Sequence, residues 1–535
     1  MKKDPKTMQK EYDFIIVGAG AAGCLLANRL SQNINNHVLL IEAGNKDFNP
    51  LIRIPMLAGL LYYLPSLNWG YSTELQRRLN DRALVWPRGK VLGGSTAING
   101  MMYVRGQKED YDHWFNTGLT GWSYNDLLPF FKTFEKNVSH TAAQEFHGVN
   151  GELHTETARA TNPLYKAWLE SALAAGHKPN HDFNGASQEG VGSYDFNIKN
   201  GQRVSAASAF LKPIETRSNL KVLTKSQVSR LLFNNKECVG VQIGDKKTTY
   251  TARRETILAC GSVNSPQILQ LSGIGDAKKL KKLGIDIISN SPEVGRNLQD
   301  HIGVYLQHRC TQPITLFSLM RPDRAISAAL RTLCFGSGPA SAVPLEVGGF
   351  LKSQPGLNRP DIHVTFVPGL SLAATQAGQM EHGFLTNIYQ LRPHSKGSIE
   401  IKTSNHLDKP KIDPNYLSDE RDLVCIKNGF KIIRAIIKQK PMSAYRGSEI
   451  APGDNITSEN DIENWIKETA DTIFHPVGTC RMGADQESVV DNKLKVRGIS
   501  KLRIVDASIM PTITSGNTSI PTMMIAEKAA SIILN

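Results

Sequence analysis

The stretch Tyr12-Asp-Phe-Ile-Ile-Val-Gly-Ala-Gly-Ala-Ala-Gly-Cys24, followed by Leu39-Leu-Ile-Glu-Ala43, limits what this chain can fold into more than any other part of it. Phe14 to Val17 is a short apolar run of the kind that forms a strand buried on both faces. Gly18, Gly20 and Gly23 follow in G-x-G-x-x-G spacing, and residues 21–30 continue as a helix of small and apolar side chains that begins at Ala21 and Ala22. Gly18 permits a tight turn, Gly20 lets the backbone approach a pyrophosphate, and Gly23 lets helix and strand pack closely. The helix N-terminus offers unpaired N–H groups and the positive end of its dipole to the phosphates. His37 to Ile41 reads as a second apolar strand, with Glu42 and Ala43 at its carboxyl end. An acid there accepts hydrogen bonds from an adenosine ribose and repels a 2′-phosphate. Strand, glycines, helix, strand and acid occur in that order within about thirty residues, the context that separates this fingerprint from an ordinary glycine-rich turn. An ADP-containing cofactor is expected. The stretch alone leaves FAD and NAD both open.

At 535 residues the chain is too long for one simple core, and two or more domains are expected. Its 40% hydrophobic and 21% charged content is that of a soluble globular protein. The net charge of +13 favours anionic surfaces, but the densest basic run, Lys278-Lys-Leu-Lys-Lys282, reads as a solvated helix face. No basic-aromatic pattern points to nucleic acid. Seven dispersed cysteines without C-x-x-C pairs argue against a disulfide scaffold or a structural zinc site, and no metal is expected. The charged start, Met1-Lys-Lys-Asp-Pro-Lys6, has no apolar signal-peptide region. Residues 51–67 are apolar but interrupted by Arg53, Pro55 and Pro65, which rules out a spanning helix there. That stretch is read as a packed loop, with a mobile cover over a pocket as the alternative. A cytoplasmic protein is expected, with peripheral contact at the inner membrane left open.

Two later runs carry a family resemblance. Gly89-Lys-Val-Leu-Gly-Gly-Ser-Thr-Ala-Ile-Asn99 resembles the first signature of the glucose-methanol-choline (GMC) oxidoreductases, a flavoprotein family. Gly261-Ser-Val-Asn-Ser-Pro-Gln-Ile-Leu-Gln-Leu-Ser-Gly-Ile-Gly275 resembles the second. The likeness runs from Tyr12 to the C-terminus and is weakest between about residues 302 and 470. It implies an α/β fold: a Rossmann-like FAD-binding domain of the p-hydroxybenzoate-hydroxylase type, with an α+β substrate domain on an antiparallel sheet. The division expected is 10–301 with 470–535 for FAD and 302–469 for substrate. Alternating runs such as Ile362-His-Val-Thr-Phe366 and Ser398-Ile-Glu-Ile-Lys402 suit that sheet. The resemblance further implies FAD contacts at Trp69, Val91, Gly93, Gly94, Ser95, Asn99, Gly100, Met101, Val228, Cys260, Gly261, Asp506, Ala507, Asn517, Thr518 and Thr522. These join Gly18, Gly20, Ala21, Ala22, Gly23, Glu42 and Ala43 of the nucleotide fingerprint.

The chemistry is expected near the C-terminus. Phe474-His-Pro-Val-Gly-Thr-Cys-Arg-Met-Gly483 resembles the family's active-site segment, and His475 is the histidine that faces the flavin ring by that resemblance. An imidazole suits the task because it accepts and returns a proton near neutral pH. Asn517 matches the position where the family has histidine or asparagine, and its plainer role is a cap for the helix expected over residues 520–533. That helix would aim its positive end at the flavin. His301, in Gly295-Arg-Asn-Leu-Gln-Asp-His301, is read as part of a structural link. Ile98 stands where some members carry the histidine that tethers FAD, which implies non-covalent FAD. Ser519 stands where a second amide side chain is frequent. The implied reaction takes the hydroxyl proton of a primary alcohol, choline or aliphatic, onto His475 and passes a hydride to FAD, with a quinone or other acceptor favoured over oxygen. Alternatives are an alcohol oxidase, a lyase or photodecarboxylase, and an NAD-dependent or non-catalytic nucleotide-binding protein. Phe474, Tyr103 and Glu346 are candidates by type for a cage around a quaternary ammonium.

Overall fold

The structure is a computed structural model, and it describes residues 10–244, 248–371 and 381–535. The charged N-terminal start lies outside them.

Two seven-stranded sheets organise the chain. The first grows from the nucleotide fingerprint. Lys10–Val17 pairs in parallel with Val38–Ile41 on one side and Thr248–Leu258 on the other, and Leu220–Leu223 extends the parallel edge beyond Val38–Ile41. Phe14 to Val17 and Val38 to Ile41 are fully buried, as continuous apolar runs in a parallel sheet must be. Val228–Asn234 and Glu237–Ile243 continue the sheet as antiparallel strands, and Leu502–Ile504 returns from the far end of the chain to pair in parallel with Thr256 to Leu258. Helix α1 (Ala21–Leu30) packs on this sheet, and Gly23 is the contact: a Cβ there would lie 1.8 Å from the Gly18 carbonyl oxygen. Helix α2 runs Gly261–Leu271 with Pro266 inside it, and the Ser262 carbonyl, which Pro266 has no N–H to serve, accepts instead from Thr479 Oγ1 at 2.6 Å.

The second sheet is antiparallel and runs in the order Arg446–Ala451, Ile302–Cys310, Gly383–Gln390, Ile362–Val367, Val347–Leu351 and Gly190–Ser193. Asp471–Thr472 adds to the start of Ile302–Cys310. This sheet therefore draws one strand from before residue 302 and one from after 469. Ser398–Glu400 does not join it; that segment forms a separate two-stranded ribbon with Lys411–Asp413. The alternation in residues 398–402 was a true strand signal, but strand partners are chosen by tertiary contacts and not by alternation.

Residues 50–67 fold into four short helical turns with proline opening three of them, and Ile52, Leu61 and Leu67 bury into a small core with Val91, Ala97 and Ile98. Helix α3 (Pro322–Phe335) lies against these turns through Ala328, and helix α4 (Ser519–Leu534) closes the chain across α1. No helix among the described residues is long and apolar enough to cross a membrane.

Candidate active site

A cavity of about 910 Å³ lies between the two sheets. Gly18, Gly20, Ala21, Ala22, Glu42, Ala43 and Val228 line one end, and Trp69, Gly94, Ser95, Asn99, Gly100, Met101, Cys260 and Gly261 line its middle. Asp506, Ala507, Asn517, Thr518 and Thr522 line it from the C-terminal side, with His475. Three expected contacts lie elsewhere. Gly23 faces the Gly18 backbone. Val91 is fully buried in the core under residues 50–67, and Gly93 turns its N–H to the Ala19 carbonyl at 2.8 Å. These three shape the wall and do not face the cavity.

At the nucleotide end the Glu42 carboxylate accepts the N–H groups of Ala19 at 2.9 Å and Gly44 at 2.7 Å. Burial pushes its carboxyl up to about 7 against those two bonds. Asp506 is likewise spoken for: it accepts from Gly261 N at 2.9 Å, Ser265 Oγ at 2.6 Å and Ser508 N at 2.8 Å, tying the start of α2 to the strand Leu502–Ile504. Arg203, whose sequence context gave no signal, braces the first signature from behind through the carbonyls of Thr96 (3.2 Å) and Asn99 (2.6 Å) and the Asn99 side chain (2.8 Å).

The opposite end is built around His475. Phe474 just before it has φ +66°, in the left-handed region that a bulky residue adopts only when its surroundings impose it. Arg88 donates to the Phe474 carbonyl at 2.6 Å, Thr472 Oγ1 accepts its N–H at 2.9 Å, and the Tyr62 ring lies 5.0 Å away. Asp300 accepts the His475 backbone N–H at 2.6 Å and is itself held by the hydroxyls of Thr472 and Tyr416. Its carboxyl is nonetheless pushed up to about 6 by burial.

The imidazole has two partners. His475 Nδ1 lies 3.0 Å from Nδ1 of His301, and His475 Nε2 lies 3.1 Å from the Asn517 amide nitrogen. His301 Nε2 lies 2.9 Å from the Leu391 carbonyl oxygen, which only accepts, so Nε2 carries the proton of His301. Complete burial lowers His301 to about 4, so the ring is neutral and its Nδ1 is an acceptor. His475 Nδ1 must then donate, and His475 Nε2 presents a lone pair beside Asn517. Burial, reinforced by the neighbouring His301, also holds His475 well below the ordinary histidine value. His301 thus belongs to the site and not only to a structural link. Asn517 does not cap α4: Thr518 holds the N-cap position and no side chain bonds there. The Asn517 amide oxygen is buried without a partner, a group that costs about 1–3 kcal/mol until a donor reaches it.

Of the residues chosen by type for an ammonium cage, only Phe474 lines the cavity. Tyr103 is fully buried in the core beside Arg105, and Glu346 lines a separate cavity, where it accepts from Ala160 N at 3.3 Å. Residue type could not distinguish these positions because distance along the chain carries no information on which side of a strand faces a cavity.

The GMC oxidoreductase N-terminal model matches residues 12–303 and the C-terminal model residues 393–526. The chain belongs to the GMC oxidoreductase family. It is 42% identical over 528 residues to a protein named oxygen-dependent choline dehydrogenase from Brucella anthropi, covering 98% of this chain and 96% of that relative. It is also 42% identical to the human mitochondrial choline dehydrogenase, covering 98% of this chain and 90% of that protein. Among solved structures, pyridoxine 4-oxidase from Mesorbium loti superposes with a TM-score of 0.89 at 30% identity over 97% of this chain and 98% of that one. A formate oxidase superposes with a TM-score of 0.92 at 25% identity over 98% of both chains. The protein is an FAD flavoenzyme of the alcohol-oxidising kind. The cavity fits that cofactor: backbone-lined at the phosphate end, where Cβ atoms on Gly18 and Gly94 would strike Ala259 and Gly20 at 2.5 and 2.8 Å, and bounded by His475 and Asn517 at the other.

Proposed function

We propose that the protein oxidises the CH–OH group of a primary alcohol to an aldehyde, with His475 as the base and Asn517 as its partner on the substrate oxygen. The observation that carries this reading is the proton arrangement around His475. The Leu391 carbonyl sets the tautomer of His301, His301 sets that of His475, and the remaining lone pair falls on Nε2 beside the cavity, where it accepts from the Asn517 amide. An alcohol hydroxyl that displaces the Asn517 N–H from Nε2 gives its proton to Nε2, while the amide N–H of Asn517 turns to the oxygen left behind. His301 accepts from His475 Nδ1 throughout and keeps the ring aligned as it becomes positive. When bound, FAD supplies the acceptor for the hydride that leaves the carbinol carbon.

FAD would rest on the backbone of Gly18, Gly20 and Gly94 and on the first turns of α1 and α4, with Trp69, Val228, Cys260, Gly261, Asp506, Ala507, Thr518 and Thr522 around it. Ile98 offers no nucleophilic atom for a covalent tether, which supports non-covalent binding. The proposed division of labour is residues 10–301 with 470–535 for FAD and 302–469 for substrate. On the substrate side Tyr62, Tyr63, Tyr305 and Phe474 line the cavity with the carboxylate of Asp471 among them. That set suits an alcohol bearing a quaternary ammonium, and it agrees with the names of the choline dehydrogenase relatives. An acceptor such as a quinone is proposed over oxygen.

The test is anaerobic addition of choline and of aliphatic primary alcohols to the yellow protein. Bleaching of the flavin bands by choline, by an aliphatic alcohol or by both supports alcohol oxidation and ranks the substrates. Slow return of colour on admitting air supports an acceptor other than oxygen, and fast return makes it an oxidase. A yellow protein that none of these alcohols bleaches overturns the reading.

A further inference from the structure

Away from the flavin cavity, three segments bring a histidine and two aspartates together. His140 lies in the loop after the short strand Glu135–Asn137, Asp182 in the loop before Gly190–Ser193, and Asp195 opens the strand Asp195–Phe196. One ring nitrogen of His140 and one carboxylate oxygen of each aspartate lie within 4.8 Å of one another. His140 Nε2 is 3.3 Å from Asp195 Oδ1. Two ligands of a tetrahedral ion, each at about 2.1 Å from it, stand about 3.4 Å apart. That edge is already formed, and the wider ones close by at most about 1.4 Å, a movement of side chains alone. His140 and Asp182 are both partly exposed, which leaves an ion a way in.

Asp195 is the observation that points to a ligand. It is 5% exposed. Its Oδ1 accepts the Thr157 hydroxyl at 2.6 Å and faces His140, whereas Oδ2 is buried without a partner. An ion pair with His140 accounts for Oδ1 and leaves Oδ2 uncompensated, which is costly for a carboxylate in a dry site; a bound cation removes that cost. The nearby cations are committed elsewhere. Arg105 pairs with Glu135 at 2.7 Å, and His147 lies between Glu135 at 3.0 Å and Asp182 at 2.9 Å. Those bonds also brace the site from behind. The Asp182 carboxylate accepts from His147 Nε2 at 2.9 Å and from the Asn184 N–H at 2.9 Å, the outer support that ligating carboxylates have.

We propose that His140, Asp182 and Asp195 bind one divalent transition-metal ion of the zinc or manganese kind, with water completing its coordination. The imidazole nitrogen favours such an ion over magnesium or calcium, and a donor set without thiolate does not suit copper(I). None of the three residues lines the flavin cavity, so the ion is structural. It ties two loops to the four-stranded sheet that contains Asp195–Phe196 and Leu153–Thr157. Its reach extends to the active site through Tyr194, the neighbour of Asp195. The Tyr194 hydroxyl donates to the Val364 carbonyl at 2.5 Å and lies 2.9 Å from Nε2 of His363, which lines the cavity. The proposal is independent of which alcohol is oxidised.

The test uses the flavin-loaded holoenzyme, stripped with a chelator and desalted. Zn²⁺ is titrated by calorimetry, and Mn²⁺ by the loss of its free-ion EPR signal. About one ion per chain is expected, with a Kd of about 1 μM or tighter for Zn²⁺ and far weaker binding of Mg²⁺ and Ca²⁺. Saturation with Zn²⁺ should raise the melting temperature by about 2 °C. H140A and D182N are expected to weaken Zn²⁺ binding about 100-fold, and D195N to abolish it. His140 and Asp182 are partly exposed, so H140A and D182N should fold with wild-type flavin content and keep the test decisive if D195N does not fold. H113A, at an exposed histidine of the helix Lys108–Asn116, should bind as the wild type does. Absence of stoichiometric binding by either ion overturns the proposal, as does binding that survives in H140A and D182N or is lost equally in H113A. Mg²⁺ or Ca²⁺ bound as tightly as Zn²⁺ would assign the cluster to a hard cation and also overturn it.

Discussion

The two ends of the cavity are made differently. The nucleotide end is a backbone structure: Gly18, Gly20, Gly23 and Gly94 bring chain against chain, and what they present is mostly N–H groups and empty space. The histidine end is a side-chain structure: Leu391, His301, His475 and Asn517 come from four separate stretches, and what they present is one lone pair with a fixed address. A backbone site depends on residues being small and on local spacing. A side-chain site depends on register between elements far apart in the chain. The first should fail through folding and cofactor retention, the second through rate alone, and this contrast can be broken by mutation.

The largest effect is expected at the side-chain end. His475→Ala should slow anaerobic flavin reduction by the best alcohol by about 10²- to 10⁴-fold, with the FAD content unchanged. Stopped-flow absorbance measures the rate, and equal loss of bound FAD would mean that His475 holds the cofactor site together instead. Gly23→Ala should do the reverse. Its new Cβ would fall 1.8 Å from the Gly18 carbonyl oxygen, so α1 must move off the sheet at a cost of about 3 kcal/mol. The expected result is a lower melting temperature and a lower FAD-to-protein ratio, with near-normal reduction in the fraction that keeps FAD.

His301→Gln is gentler and sharper. Glutamine can keep the bond to Leu391 but does not fix the proton on His475, so the reduction rate should fall about tenfold, ~1.4 kcal/mol, while the apparent substrate affinity holds. A pH profile unchanged from the wild type would mean that His301 only fills space. The smallest effect is on the pH dependence of stability. His301 and His308 are held at about 4, and His363 and His475 also lie below the ordinary value, all chiefly through burial. Their unfolded forms take up protons first, so these four groups withdraw stability as pH falls from about 6.5 toward 4. Asp300 and Glu42, raised to about 6 and 7, act with the opposite sign and withdraw stability as pH rises through those values. Urea midpoints at pH 7 and pH 5 should show a shallower acid slope in His301→Gln than in the wild type, and an unaltered slope would remove His301 from this set.

The same contrast explains which features were legible in the sequence. Residues 12–43 needed nothing but their own order, since apolar run, glycine spacing and acid are local and each has a local cause. The strand Ile362–Val367 was legible for the same reason, its alternation being local. Val91 and Gly93 were expected at the cavity through the family resemblance, yet adjacent residues in a tight turn point to opposite sides. Tyr103 and Glu346 have the right chemistry for an ammonium and the wrong position. His301 has an unremarkable sequence context, and it comes beside His475 because residues 299–303 pair with 471–477, the Ile473 N–H reaching the His301 carbonyl at 2.9 Å.

The sequence by itself determined that a parallel α/β sheet would hold an ADP-containing cofactor, that the chain resembles the GMC flavoproteins, and that His475 and Asn517 were the side chains to watch. Local spacing and short-range sterics are enough for conclusions of that kind. Only the tertiary structure decided which nitrogen of His475 carries the lone pair, that Asn517 faces His475 instead of capping α4, and that Ile326 and Leu330 remain uncovered. Each of those depends on what a distant segment places, or fails to place, within hydrogen-bonding or packing distance, and that information does not exist in the local order of residues.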